Sequence, residues 1–170
     1  MQNSGADQDF EQLSQDVGRV LLAHGLTLAT AESCTGGWVA QVVTQTSGSS
    51  RWFDRGFVTY TNEAKQEMLG VEAQTLNQYG AVSEQTVQEM AEGAIENSRA
   101  QIALAISGVA GPTGGTAEKP VGMVCFAWAR ANFQTQTVTR YFEGDRHAVR
   151  RQAVQFTLRH LIDMVAVSQS

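Results

Sequence analysis

The sequence predicts an α/β fold, a three-layer α/β/α sandwich on a mixed central sheet, and three observations carry that expectation. Short apolar runs alternate with segments whose apolar residues recur every three or four positions, the pattern of strands interleaved with covering helices. One of those runs, Ile102-Ala103-Leu104-Ala105-Ile106, is apolar throughout, as a strand covered on both faces is. Two longer strand-like segments then follow each other directly, which adds antiparallel pairing to a sheet otherwise joined by crossovers.

Taken in order, Phe10, Leu13, Val17, Val20 and Leu21 form the apolar face of a first helix, which ends near His24-Gly25 where glycine supplies a left-handed cap. Residues 26–31 read as a short strand and Thr35 to Val43 as the helix after it. Gly56 to Tyr60 is a second strand, followed by a helix capped by Asn62 and closed by Gly70. Ser83-Glu84 opens a helix whose inner face is Val87, Met90, Ala91, Ala94 and Ile95. The apolar strand 102–106 runs into a glycine-rich loop, Ser107 to Gly115. Val121–Ala129 and Thr135–Phe142 are the two long strands, turning at Arg130 to Phe133, and a last helix starts near Asp145. The alternation does not give the strand order.

At 170 residues the chain fits one domain, 1–170, with residues 1–8 expected as a flexible tail; burying roughly 70% of the unfolded surface supplies a core without disulfides. Cys34 sits in a glycine-rich segment and Cys125 in an apolar strand, so they suggest no disulfide and favour a reducing compartment. The amino terminus lacks the basic and apolar regions of a leader, and no apolar stretch is long enough to span a membrane. With 12 Lys+Arg against 17 Asp+Glu, net charge −5, there is no overall electrostatic footprint for nucleic acid or an acidic membrane. A cytoplasmic protein with neither partner is expected, and an anionic ligand would have to be held by local features.

Ser33, in Ala31-Glu32-Ser33-Cys34-Thr35-Gly36-Gly37, lies at a strand-to-helix junction where unpaired N–H groups and a helix dipole would stabilise an oxyanion. It fits a nucleophile, and equally a helix cap. Cys34 is the stronger intrinsic nucleophile and competes with it, although small apolar packing also explains a cysteine there. None of His24, His147 and His160 is spaced to serve as a base. Lys65 is a candidate instead: with Asn62 as cap it falls at the third helical position, where the dipole opposes a cation, and burial would lower its pKa toward a useful range. A plain surface lysine explains the spacing as well. Tyr60 can relay the proton, position the lysine, or simply be a strand aromatic.

The loop 107–115 offers unobstructed N–H groups suited to phosphate or carboxylate oxygens, though its glycines also suit turns, and it matches neither a P-loop nor a dinucleotide fingerprint. Arg146, in Gly144-Asp145-Arg146, places another cation at a helix start, a conflict that an anionic ligand would resolve, with Arg150 and Arg151 a turn further on. No Cys/His cluster has zinc spacing and the carboxylates form no metal motif, so neither metal nor cofactor is expected.

Together, Thr30 to Gly37, Gly56 to Lys65 (GFVTYTNEAK), Gly80-Ala81-Val82-Ser83, Ser107 to Pro112 (SGVAGP), Glu118 to Gly122 and Gly144-Asp145-Arg146 resemble the CinA carboxy-terminal domain family, the nicotinamide mononucleotide deamidases. The resemblance runs over nearly the whole chain. It implies hydrolysis of the carboxamide of nicotinamide mononucleotide to nicotinic acid mononucleotide and ammonia, in pyridine nucleotide (NAD) salvage. It also implies Ser33 as nucleophile with Lys65 and Tyr60, N–H groups around Cys34, Thr35 and Gly36 on the oxyanion, and a homodimer. Ser107, Gly108 and Gly111 would then meet the ribose phosphate region, with Arg146 completing the anion site from its own or a partner subunit. Family members often carry a further amino-terminal domain, so the chain looks like the stand-alone form.

Overall fold

The computed structural model describes residues 5–167. Its elements are α1 (Gly5–Ala23), β1 (Leu28–Glu32), α2 (Trp38–Val43), β2 (Phe53–Val58), α3 (Asn62–Leu69), α4 (Ala73–Tyr79), α5 (Glu84–Glu96), β3 (Ile102–Gly108), β4 (Met123–Arg130), β5 (Gln136–Tyr141) and α6 (Arg146–Val167). The strands form one sheet in the order β2-β1-β3-β4-β5. β1 is parallel to both β2 and β3, whereas β4 is antiparallel to β3 and to β5. The sheet is therefore mixed, as the alternation of elements requires.

Side-chain size separates the two faces of the sheet. On β3, Ile102, Leu104 and Ile106 point to one side and Ala103 and Ala105 to the other; on β4, Val124, Phe126 and Trp128 oppose Cys125, Ala127 and Ala129. The large residues pack with Val17 and Leu21 of α1, Val39, Val42 and Val43 of α2, and Val154, Leu158 and Leu161 of α6. The alanine face packs with Leu69 of α3, Leu76 of α4 and Val87, Met90, Ala91 and Ala94 of α5. Period-two alternation in the strands thus sorts bulky and small residues into two cores, giving the three layers.

Several boundaries differ from the sequence expectation, each for a local reason. The helix after β1 starts at Trp38 and not at Thr35, because Gly36 and Gly37 have φ of +60° and +101°, outside the right-handed helical region. Thr61, not Asn62, caps α3: its hydroxyl accepts from the Ala64 N–H at 3.1 Å. Lys65 consequently sits one position deeper in the helix than the sequence suggests. Helix α4 was not anticipated, since its seven residues bury only Leu76 and give little periodic signal. Helix α1 already includes Gly5, and residues 1–4 of the expected tail lie outside the described residues.

β1 connects to β2 on one side, while its other neighbour β3 connects to β4 on the opposite side. The gap beyond the carboxyl ends of β1 and β3 is thus a topological switch point, where open α/β sheets place their ligands.

Candidate active site

The chain leaves β1 at Glu32 and makes four tight residues before Gly37, and Ser33 sits at the first of them. Its N–H donates to the Ile106 carbonyl of β3 at 3.0 Å, fixing the serine across the switch point. Ser33 is not the cap of α2, contrary to one sequence reading, because the helix begins five residues later. The cap is supplied by Glu32. Its buried carboxylate accepts from the N–H groups of Val39 at 2.8 Å and Ala40 at 3.1 Å, and from the Thr35 hydroxyl at 2.7 Å. One acid under the loop thereby satisfies the helix start and leaves the serine hydroxyl free for another partner.

That partner is Lys65. Its Nζ donates to Ser33 Oγ at 3.0 Å and to the Thr59 carbonyl at 2.8 Å, with the residue only 1% exposed. Burial pushes the ammonium below the ordinary lysine range, because charge is costly there and no carboxylate pairs with it among the described residues. Burial is the leading cause, and the two bonds draw the lysine back toward the end of β2. A nucleophile-to-base hydrogen bond with a base of lowered pKa is the arrangement that activates a serine hydroxyl.

Cys34 is disfavoured as the nucleophile. Its thiol is buried, and burial first, then the nearby Glu32 carboxylate, raises its pKa to about 12. At neutral pH it stays protonated. The histidines have other partners: His24 after α1 bonds with the Val20 carbonyl, His147 packs against the Trp38 ring, and His160 stacks on Trp128.

Among the described residues Tyr60 makes no hydrogen bond to Ser33 or Lys65. Its hydroxyl, on a 59% exposed residue, receives Arg146 Nη2 at 3.1 Å, and Arg146 Nη1 donates to the Gly111 carbonyl at 2.8 Å. Arg146 thus ties the end of β2 to the glycine loop. Beside it opens a cleft of about 650 Å³ lined by Ala110, Pro112, Val121, Gly144, Asp145, Arg146, His147 and Arg150. Ser107 is buried on β3 opposite Cys125, and Ser33 does not itself line the cleft. Gly108 lacks a side chain for packing reasons: a Cβ there would stand 2.7 Å from Val124 Cγ2. Gly111, at φ +82°, makes its turn against Val121.

The backbone donors around Ser33 also divide. Gly36 N–H is spent on the Ser33 carbonyl at 3.0 Å and the Cys34 N–H faces its own thiol sulfur, while the Thr35 N–H has no hydrogen-bond partner among the described residues. Arg150, from α6, donates to the carbonyls of both these residues. Sequence reasoning missed Glu32 and this contact of Arg150. The only signal for Glu32 was an acid ending a run of small and apolar strand residues, with a threonine three positions on.

A family model described as the CinA C-terminal domain matches residues 10–165. The chain is 57% identical over 155 residues to nicotinamide-nucleotide amidohydrolase PncC of Escherichia coli, covering 91% of this chain and 94% of that protein. It is 50% identical over 143 residues to a CinA-like protein of Akkermansia muciniphila, covering 84% of this chain but 34% of that longer protein. Among solved structures, the competence/damage inducible protein CihA from Agrobacterium tumefaciens superposes with a TM-score of 0.87 at 47% identity, covering 91% of this chain and 94% of that one.

Proposed function

This chain belongs to the CinA C-terminal domain family, and on that premise we propose that it is a nicotinamide-nucleotide amidohydrolase working through a Ser33 nucleophile and a Lys65 base. The observation that carries the reading is the 3.0 Å hydrogen bond between Lys65 Nζ and Ser33 Oγ, made by a buried lysine that no carboxylate pairs with among the described residues. Neutral Lys65 takes the Ser33 proton as Oγ attacks the carboxamide carbon of nicotinamide mononucleotide. The oxyanion is held by the N–H groups of Cys34 and Thr35, each such donor contributing about 3 to 4 kcal/mol when preorganised. Collapse of the adduct breaks the C–N bond, the lysine returns its proton to the leaving nitrogen, and ammonia departs. Water, deprotonated by Lys65 in turn, cleaves the ester and yields nicotinic acid mononucleotide and free Ser33.

Arg146 and the loop that leaves β3 and turns at Gly111 recognise the ribose phosphate, with Ser107 and Gly108 supporting that loop from the end of the strand and Tyr60 holding Arg146 in place and not relaying the proton. The reaction needs no metal or cofactor, is carried out by one domain acting as a homodimer in the cytoplasm, and serves pyridine nucleotide salvage. No described helix is long and apolar enough to cross a membrane.

The test is ammonia release from nicotinamide mononucleotide by wild type, Ser33→Ala and Cys34→Ser in parallel. The serine variant is expected to lose activity and the cysteine variant to keep it. Loss on Cys34→Ser with retention on Ser33→Ala would transfer the nucleophile to the thiol, and a silent wild type would remove the enzymatic reading.

A further inference from the structure

We infer that Arg150 is a positioning residue for the reaction, a clasp that orients the backbone donor used on the oxyanion; the inference rests on the amidohydrolase reading above. Arg150 Nε donates to the Cys34 carbonyl at 3.0 Å and Nη2 to the Thr35 carbonyl at 3.3 Å, joining α6 to a loop more than a hundred residues away in sequence. Its guanidinium lies over the Trp38 ring, 5.5 Å from the centroid, and no carboxylate pairs with it among the described residues. Two consecutive carbonyls are thus the protein acceptors that a planar, half-buried guanidinium finds, a fork that a lysine cannot reproduce.

The consequence follows from peptide geometry. In a trans peptide the C=O and the next N–H point in opposite directions within one plane. Holding the Cys34 carbonyl toward α6 therefore turns the Thr35 N–H away from α6. That N–H has no hydrogen-bond partner among the described residues. Immediately downstream, Gly36 and Gly37 occupy positive φ, where the backbone has few steric restraints on rotation. The Gly36 N–H on the Ser33 carbonyl and the Trp38 N–H on the Thr35 carbonyl, each at 3.0 Å, close the turns on either side of the Cys34–Thr35 peptide, and Arg150 is the side chain that holds the Cys34 carbonyl of that peptide directly. The same guanidinium lines the cleft beside Arg146, which gives it a competing assignment as a simple anion ligand.

Steady-state hydrolysis of nicotinamide mononucleotide by Arg150→Ala and Arg150→Lys separates the two. The clasp predicts that Arg150→Ala lowers kcat by roughly 30- to 100-fold, the scale of a misplaced oxyanion donor, with KM changed less than about threefold. Arg150→Lys recovers only part of the loss, and millimolar methylguanidinium restores part of the kcat of Arg150→Ala. Arg146→Ala, run alongside, mainly raises KM. A rise in KM at unchanged kcat for Arg150→Ala would make it an anion ligand and overturn the inference. So would unchanged kinetics, or a loss that methylguanidinium does not rescue and that is accompanied by a collapse of thermal stability. Phosphonylation of Ser33 by a fluorophosphonate provides a reading independent of the substrate: Arg150→Ala is expected to slow it by a similar factor, and an unchanged rate would contradict the clasp. If the wild type is phosphonylated but releases no ammonia from the nucleotide, the substrate assignment fails while the clasp is still decided.

Discussion

Lys65 occupies a buried position where the ammonium loses its hydration, and its two hydrogen bonds go to neutral oxygens, Ser33 Oγ and the Thr59 carbonyl. The folded protein therefore holds the ammonium below the ordinary lysine range, giving up its proton more readily than the unfolded chain does. Because the pKa is lower folded than unfolded, the unfolded chain binds more protons between the two values, and stability rises with pH across that window. The penalty is complete below the folded value and gone above the ordinary lysine range. Replacing Lys65 by Met should accordingly raise the thermal unfolding midpoint at neutral pH, with the advantage over wild type shrinking as pH increases toward 10; thermal melts at several pH values check this. If Lys65 is the base, as proposed, kcat/KM for nicotinamide mononucleotide should climb with pH through a midpoint below the ordinary lysine range, and a flat profile from pH 5 to 9 would speak against it. The buried thiol of Cys34, with its pKa of about 12, should resist iodoacetamide at pH 8 in the folded protein and react after denaturation, as intact mass will report. Sequence spacing alone left Ser33 open between cap and nucleophile and Lys65 between base and surface lysine. Neither the contact between residues 32 positions apart nor the burial that tunes it is encoded in local pattern.

Elements hold these residues through their ends. Thr61 caps the helix that carries Lys65, so Thr61→Ala should cost about 1 kcal/mol of stability and reduce turnover, whereas Asn62→Ala should do neither beyond about 0.5 kcal/mol; urea melts with parallel ammonia assays distinguish them. Helix α5 lies so close to α3 that a Cβ on Gly93 would fall 1.9 Å from the Leu69 carbonyl oxygen. Gly93→Ala is therefore expected to destabilise by about 1 to 3 kcal/mol although alanine is the better helix former, and a stabilised variant would show that the helices can separate freely. The helix and strand periods were legible here, as was the closing glycine at Gly70. The late start of α2 was not, because it depends on a carboxylate reaching forward from the strand before it and on two glycines that leave helical space.

For the whole molecule, the sheet order decides what the residues can do. Placing β1 between β2 and β3 brings the end of β1, with Ser33, beside Thr59 and Lys65 on one side and Ser107 and the glycine loop on the other. The alternation of elements predicted the three layers and the mixed sheet, since each strand displays its two faces in sequence. It could not predict the order, which is a choice among long-range pairings that leave no periodic trace. Nor could it reveal that Arg150 of the last helix donates to the carbonyls of the loop that carries Ser33. The proposed chemistry depends on the Ser33–Lys65 pair, and the most direct measurement is the turnover of nicotinamide mononucleotide by Lys65→Met, which keeps side-chain bulk and removes the amine. It should release ammonia about 10³-fold more slowly than wild type while remaining folded by circular dichroism; activity within about tenfold of wild type would contradict the lysine base and the mechanism built on it.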